Sequence, residues 1–187
     1  PATVGPAATS TPVPPTATPA PMAAPAPTAT PTSEPAPTPV SQTVYNEFGF
    51  SLGLERGAQV RPAGTPGVEQ GIISLAYGDV NSILSWTPQG DGNLFALVSG
   101  TYDLVRDNQP GLTFETLKDG EFTVDGEPGL FLGFKAVDGS GAASGGLIGA
   151  WVCTASQSSF VLTLTGADAA VVQVRFDGLR DDFKCSS

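Results

Sequence analysis

The sequence predicts an α+β domain, in which a twisted antiparallel β-sheet carries two packed helices, preceded by an extended segment rich in Pro, Thr and Ala. Three observations support this fold class. The composition changes abruptly after residue 42. Short segments that alternate apolar and polar residues, separated by turn residues, are typical of antiparallel strands. Two other segments repeat apolar residues every three or four positions, as helices do. Because strands and helices are segregated along the chain, helices laid on an antiparallel sheet are favoured.

Residues 1–42 are expected to form an extended stalk. Thirteen of the 18 prolines lie here, and Glu34 is the only charged residue of the tract. Proline fixes φ and removes a backbone donor, and the tract has no large apolar side chains that could build a core. A disordered linker between domains is the alternative. Thr and Ser flanked by Pro are typical of O-glycosylated segments. The candidate O-glycosylation sites are Thr9, Ser10, Thr11, Thr16, Thr18, Thr28, Thr30, Thr32, Ser33 and Thr38.

Residues 43–187 are expected to form a single domain. They contain all 8 basic residues and every acidic residue of the chain except Glu34, which leaves the domain strongly acidic. An acidic surface disfavours nucleic acid and anionic membranes as partners, because all carry negative charge. No stretch approaches the roughly 20 apolar residues that a transmembrane helix needs. The domain is therefore expected to be soluble, without a transmembrane segment of its own.

The first half of the domain predicts three strands. Residues 46–52 place Phe or Leu at every second position, which is the period of a half-buried strand. Gly71–Tyr77 and residues 80–87 flank the dipeptide Gly78-Asp79, a typical tight turn. These last two strands are expected to pair in an antiparallel hairpin.

Residues 93–107 predict the first helix. Its apolar residues recur at three- and four-residue spacing, and Pro110 lies just beyond its end. The preceding segment Gly90-Asp91-Gly92-Asn93 has oxygen side chains at alternate positions, as calcium loops do, but lacks the other ligands of an EF-hand. A turn that caps the helix is the favoured interpretation, with calcium binding as the alternative.

A meander of strands is expected next. Asp119-Gly120 lies within residues 114–124 and is the strongest hairpin signal of the chain. Residues 125–129 predict a turn into a strand at 130–137. The loop at 138–146 is rich in Gly, but it has no Lys and leads into a strand, so a hairpin loop is favoured over a phosphate site. The last strands are expected at residues 147–154 and 160–165, joined by a turn at 156–158.

The second helix is expected to start after Asp168, which can cap it. Val172, Phe176, Leu179 and Phe183 fall on one face of this helix, and polar residues occupy the other faces. The predicted helix therefore packs on the sheet through an apolar stripe.

The chain has two cysteines, Cys153 and Cys185. They lie far apart, do not form a CxxC pair and accompany a stalk that is typical of exported proteins. We therefore expect a disulfide, which is stable in oxidising compartments. Two buried free thiols are the alternative.

Three segments together resemble the PsbP-like fold, a family that also includes Mog1 and small bacterial lipoproteins. They are YNEFGFSL at residues 45–52, VDGEPG at 124–129 and FDGLRDDF at 176–183. The resemblance implies an α+β sheet with two packed helices. It also implies a non-catalytic accessory module, often tethered at a membrane, that docks on larger assemblies.

Catalysis by the common hydrolase mechanisms is excluded. The chain has no histidine, which removes Ser-His-Asp and Cys-His catalysis and imidazole zinc sites. Carboxylate pairs could still hydrolyse glycosides. However, Glu115, Glu121 and Glu127 have no spacing that singles out a pair. No catalytic residue, metal or cofactor is predicted.

The aromatic residues allow two interpretations. They could line an interface for a glycan or a protein, but aromatic residues in strands more often belong to the core. The residues concerned are Tyr45, Tyr77, Trp86, Tyr102 and Trp151.

These observations lead to one preferred function and one alternative. We expect a non-enzymatic structural or docking module at the cell surface, exported and processed. It associates with copies of itself or with a larger assembly. The most specific form of this hypothesis is a subunit of an extracellular filament. An exposed sheet edge could accept an extended segment from a neighbour, such as the Pro-free residues 41–44. The alternative is a tethered monomeric domain that binds a small ligand or carbohydrate in a cleft between sheet and helix.

Overall fold

The computed structural model describes residues 43–186 as ten strands and two helices. In chain order these are β1 (Thr43–Tyr45), β2 (Ser51–Leu54), β3 (Gln59–Pro62), β4 (Gly71–Tyr77), β5 (Val80–Pro88), α1 (Leu94–Asp107), β6 (Thr113–Val124), β7 (Glu127–Val137), β8 (Ala143–Cys153), β9 (Ser158–Gly166), α2 (Ala169–Asp181) and β10 (Phe183–Lys184).

The strands form two antiparallel sheets. The larger sheet has seven strands in the order β3-β4-β5-β9-β8-β7-β6, and the smaller sheet has three in the order β1-β2-β10. Every paired strand runs antiparallel to its neighbour. The predicted α+β class, with two helices on an antiparallel sheet, is confirmed.

Each face of the seven-stranded sheet has its own apolar core. The α2 face, on which α2 packs, carries the larger core, which also includes residues of the small sheet. Its centre is aromatic: Trp151 stacks on Phe160 at 5.6 Å between ring centroids, and Phe183 meets both rings edge-on. The α1 face carries a smaller core, in which Val98 of α1 packs with Phe134, Ile148 and Ala150 of the sheet. Burial of each large apolar side chain stabilises the fold by roughly 1.5–3 kcal/mol.

Most of the predicted first strand, residues 46–52, is instead the loop of a hairpin. β1 and β2 pair across a loop in which Phe48 has φ 62° and Gly49 has φ 85°. Two successive residues with positive φ reverse the chain and cannot belong to a strand. The Phe48 ring stacks on Trp86 at 5.3 Å, so packing holds Phe48 in its unusual backbone conformation. The predicted strand is therefore wrong for residues 46–50, and only Ser51 and Leu52 belong to a strand.

The hairpin predicted at Asp119-Gly120 is also wrong. β6 runs through both residues without reversing, and Gly120 pairs with Phe131 of β7. A Cβ on residue 120 would lie 2.9 Å from Cε1 of Phe131, so glycine is needed here for close packing. The chain reverses at a second Asp-Gly dipeptide, Asp125-Gly126, where φ is 49° and 86°. Positive φ at both central residues defines the tight hairpin turn that Asp-Gly favours.

The other predicted elements agree more closely with the structure. The hairpin of β4 and β5 is confirmed, with Tyr77 paired to Val80 across Gly78-Asp79. α2 begins after Asp168, whose Oδ1 accepts a hydrogen bond from Ala170 N at 2.8 Å. The helix ends at Asp181, so Phe183 belongs to β10 and not to the helix face where it was predicted. The short strands β3 and β10 were not predicted.

A disulfide joins Cys153, at the end of β8, to Cys185, next to β10, with the two Cα atoms 5.5 Å apart. The tip of the β6–β7 hairpin lies beside it. Asp125 accepts hydrogen bonds from Cys185 N at 3.0 Å and Lys184 Nζ at 3.1 Å. Glu127 accepts from both the amide and the hydroxyl of Thr154 at 2.9 Å. The disulfide and the two carboxylates therefore tie three segments of the chain together at one end of the sheet.

Candidate functional site

The first helix sits over one edge of the large sheet. Asn93 caps it, because its Oδ1 accepts a hydrogen bond from Ala96 N at 2.8 Å. The segment at residues 90–93, a calcium candidate by sequence, thus leads into α1 and supplies its cap. Residues 43–186 contain no cluster of three or more metal-ligating side chains arranged to hold an ion.

A cleft of about 260 Å³ opens between α1 and the strands β6 and β7. We call it the acidic groove. Its apolar lining includes Val98 of α1 and Leu130 and Leu132 of β7, and its only charged lining residues are Asp119 and Glu121 of β6. It is lined by Phe95, Val98, Ser99, Asp119, Gly120, Glu121, Leu130, Phe131 and Leu132. Phe95 stands at its border with 70% of its surface exposed, which is unusual for a residue of this size.

The strand register explains why the two carboxylates lie side by side. Asp119 pairs with Leu132 and Glu121 pairs with Leu130, so both acidic side chains are on the α1 face. Residues two apart on one face of a strand are about 7 Å apart. Asp119 and Glu121 are exposed, and neither carboxylate forms a hydrogen bond or ion pair with any other described residue. The groove therefore combines an apolar floor with two carboxylates that have no counter-charge.

A second, shallower depression continues the acidic groove along the start of α1. It shares Glu121 and Leu130 with the groove and adds Leu94, Thr123 and Pro128 to the lining. The combined surface is elongated and runs between the helix and the last strand of the sheet. An elongated, partly apolar surface of this kind suits a polypeptide segment better than a compact ligand.

The opposite face of the same strand is aromatic. Gly120 and Phe122 of β6 lie on the α2 face, where the Phe131 ring crosses over Gly120. Phe122 and Phe131 are half-buried, with ring centroids 6.5 Å apart. Between Lys118 and Val124, β6 thus presents two carboxylates on the α1 face, whereas Phe122 and Lys118, which contacts the Phe131 ring, lie on the α2 face.

The five aromatic residues considered for an interface lie elsewhere. Trp86, Trp151 and Tyr77 are buried, and Tyr45 and Tyr102 are half-buried against the cores. The interpretation of these residues as core is therefore correct. Phe95 is the exposed aromatic residue at the groove and was not predicted. A large apolar side chain two residues after the cap Asn93 is the one signal that could have identified it.

The carboxylates considered for catalysis are not brought together in one pocket. Glu121 lines the acidic groove, Glu127 binds Thr154 at the hairpin tip, and Glu115 lies on the α2 face of β6 beyond a bulge. No helix within residues 43–186 has the length and apolar character required to cross a bilayer. The candidate O-glycosylation residues and the stalk lie outside the described residues.

Comparison with known proteins identifies the class of fold. Neither a protein-family model nor a curated protein sequence matches this chain. Cyanobacterial PsbP (CyanoP) from Synechocystis sp. PCC 6803 superposes with a TM-score of 0.60 at 15% sequence identity, covering 81% of this chain and 96% of that chain. The predicted PsbP-like fold is confirmed.

Two other solved structures are more distant. LpqN, involved in cell envelope biogenesis of Mycobacterium tuberculosis, has a TM-score of 0.48 at 16% identity and covers 78% of this chain and 90% of its own. The Ran-binding protein Mog1p of Saccharomyces cerevisiae has a TM-score of 0.47 at 8% identity, with coverage of 76% and 86%. At these identities the likeness concerns the fold alone.

Proposed function

We propose that this protein is a non-enzymatic docking module of the cell surface, held on a glycosylated stalk, that mediates protein–protein assembly. The observation that carries this proposal is the acidic groove, with its exposed Phe95 and two unpaired carboxylates. Exposed apolar surface rimmed by charge is typical of protein interaction sites. The partner is a larger surface assembly or a copy of the same protein.

The shape and lining of the groove favour docking over capture of a small ligand or carbohydrate. Together with the adjoining depression, the acidic groove is elongated along α1, whereas small-molecule sites are compact clefts that enclose most of the ligand. Carbohydrate sites commonly use aromatic platforms, but Trp86 and Trp151 are each only 1% exposed. The absence of histidine supports a non-catalytic role, and so does the separation of Glu115, Glu121 and Glu127 into different parts of the domain.

The cell-surface location rests on two features. The Cys153–Cys185 disulfide suits an oxidising compartment. The tract at residues 1–42 has the composition of an O-glycosylated spacer, and at about 3.1 Å per residue it could extend roughly 130 Å. Intact-mass measurement of native material checks this part: mass increments of hexose size on residues 1–42 are expected, and an unmodified mass would contradict it.

Site-specific photo-crosslinking on intact cells tests the docking function. A photoreactive amino acid replaces Ser99, which lines the acidic groove, and in a matched variant replaces Val174, which is 67% exposed on α2. We expect one discrete crosslinked protein from position 99 and none from position 174. Equal labelling at both positions, or no protein adduct at position 99, would reject a docking role for the groove.

A further inference from the structure

We propose that residues 118–124 of β6 form a strand-addition site for an extended segment of a different protein, in which Lys or Arg alternates with apolar residues. This inference rests on the proposed docking function and specifies the partner's chemistry. It follows from three properties of β6: an open edge, acidic residues on one face and aromatic residues on the other.

The first property is the open edge. β6 is the last strand of the seven-stranded sheet, so among the described residues no strand pairs with its outer side. The unpaired backbone groups of an edge strand are a template for an added strand. A register shift between Thr116 and Lys118 marks a bulge, but from Lys118 to Val124 the pairing with β7 is regular. The regular segment is long enough to pair with a peptide of about seven residues.

The second property is the charge of the α1 face. A strand added beside β6 places alternate side chains on this face, opposite Asp119 and Glu121. Opposite-charge pairs across neighbouring strands are favourable, whereas like charges destabilise pairing. Lys and Arg also have long aliphatic stems that can cover the apolar surface around Phe95 while the charged group reaches a carboxylate. The α1 face therefore selects cationic residues at every second position.

The third property is the mainly apolar character of the α2 face. Lys118 is the one charged residue of segment 118–124 on this face, and its Nζ lies 5.7 Å from the centroid of the Phe131 ring. The intervening side chains of an added strand fall beside Gly120 and Phe122, where Phe131 covers the glycine. Aromatic residues next to β-branched or other apolar residues form favourable cross-strand pairs. The intervening positions of the partner are therefore apolar, and the preferred pattern is cation, apolar, cation.

Charge disfavours a second copy of β6 as the added strand. On its α1 face β6 offers Phe114, Thr116, Asp119, Glu121 and Thr123, without any cation. Antiparallel pairing of two β6 edges keeps these faces aligned, so no register places a Lys or Arg of β6 opposite Asp119 or Glu121.

The other parts of the chain are also unsuitable. β3, at the far edge of the sheet, carries Arg61, but this guanidinium donates to Gln59 Oε1 at 2.9 Å, and the strand ends at Pro62, which lacks an amide donor. Residues 1–42 contain no Lys or Arg and 13 prolines. Thr43–Tyr45, which overlaps the segment expected to be donated to a neighbour, already pairs with β2 of its own chain.

The test uses the full chain with its disulfide intact and a synthetic peptide, acetyl-Thr-Lys-Val-Lys-Val-Lys-Thr-amide. A control peptide of the same composition, acetyl-Thr-Lys-Lys-Val-Val-Lys-Thr-amide, mixes charged and apolar residues on both faces. Calorimetry measures affinity, and amide hydrogen exchange by NMR reports strand addition. We expect the alternating peptide to bind more tightly and to protect amides of alternate residues within 118–124.

Variants identify the carboxylates that take part. Asp119→Asn and Glu121→Gln should each weaken binding roughly 1.5- to 5-fold, as expected for cross-strand charge pairs. Glu115→Gln, on the same strand but on the α2 face and beyond the bulge, removes the same charge and should leave affinity unchanged. Thermal unfolding of each variant verifies that the fold is retained.

The outcomes separate this inference from the proposed function. Equal binding of the two peptides, or no binding of either, overturns the cationic strand as the partner. Binding without new amide protection at 118–124 overturns strand addition. In either case crosslinking from Ser99 still decides whether the groove docks a protein.

Discussion

Asp125 has two roles that depend on different parts of the residue. Its backbone adopts φ 49° and makes the β6–β7 turn. Its carboxylate receives the amide of Cys185 and the ammonium of Lys184, and these hydrogen bonds, the backbone one foremost, hold the pKa of Asp125 below its ordinary value of 3.8. A single residue thus sets the turn and attaches the end of the chain to it.

The lowered pKa of Asp125 predicts a pH dependence of stability. The ionised group stabilises the fold at every pH above its pKa in the unfolded chain, and this contribution is lost as the pH falls through the lower pKa of the folded protein. Asp125→Asn should lower the free energy of unfolding by less than about 1 kcal/mol at neutral pH, because the pair is partly exposed.

Asparagine also tolerates positive φ, so the turn is retained in this variant. Urea unfolding of both proteins at pH 7 and pH 3 measures the effect. The difference between them should shrink at pH 3, and a constant difference would argue against titration of Asp125.

The comparison of two Asp-Gly dipeptides shows what local sequence could not decide. Asp119-Gly120 and Asp125-Gly126 have the same turn propensity, yet only the second is a turn. Glycine is needed at position 120 because the ring of Phe131 packs against it from the neighbouring strand. No local sequence pattern contains this contact. The acidic groove was missed for the same reason, because Asp119 was assigned to a turn and could not be placed beside Glu121.

At the scale of elements, α2 approaches the sheet closely at Gly149 of β8, which has no side chain. A Cβ on Gly149 would lie 2.6 Å from Cζ of Phe176 in α2 and 3.1 Å from Cζ of Phe122 in β6. These rings belong to the larger core, so neither can move without disturbing the packing. The contact fixes how α2 lies on the sheet.

Gly149→Ala should therefore lower the free energy of unfolding by roughly 1–3 kcal/mol, as overpacking does. Gly100→Ala is the matched control, because Gly100 is exposed in α1 and a Cβ there meets nothing within 4 Å. Alanine should stabilise that helix by roughly 0.5–1 kcal/mol. Thermal or urea unfolding checks both signs, and destabilisation by both variants would show that the Gly149 contact is not the cause.

The start of α1 offers a second test at this scale. Phe95 is 70% exposed, so Phe95→Ser should change the free energy of unfolding by no more than about 0.5 kcal/mol. The same substitution should reduce crosslinking from position 99 by removing the apolar border of the acidic groove. A large loss of stability in urea unfolding would instead assign Phe95 to the core.

The elements that could be predicted are those whose sequence pattern is long enough to be recognised without knowledge of neighbouring strands. α1, α2 and the hairpin of β4 and β5 follow from periodicity, a cap or a turn. β3 and β10 have at most four residues and exist because a neighbouring strand pairs with them. Their sequences carry too little pattern to be recognised locally.

At the scale of the whole molecule, the disulfide connects the two sheets. Cys153 ends β8 of the large sheet and Cys185 follows β10 of the small sheet, with a sequence separation of 32. Replacing both cysteines by serine should lower the free energy of unfolding by roughly 3–4 kcal/mol in the loop-entropy model. Reductant should shift the unfolding of the parent protein to lower urea and leave the variant unchanged; an equal response of both would show that the bond does not stabilise the fold.

The whole-molecule fold was predictable because turn and packing motifs resemble those of a known fold. The docking surface was not, because it joins α1 to β6 and β7 through side chains that carry no motif. Net charge indicated only which partners are excluded. To predict the acidic groove one must know which acidic residues lack a counter-charge, and this depends on tertiary structure.

The three-residue strand β1 has a mechanical consequence. It pairs with β2 alone and lies outside the loop closed by the disulfide, whereas β2 is also held by β10, next to the bonded Cys185. Tension applied to the chain at Thr43 is therefore resisted first by three cross-strand pairs. When these separate, residues 43–47 can extend by roughly 16 Å before force reaches Phe48, whose ring stacks on Trp86. The domain would thus lengthen under load while its core and its acidic groove stay folded.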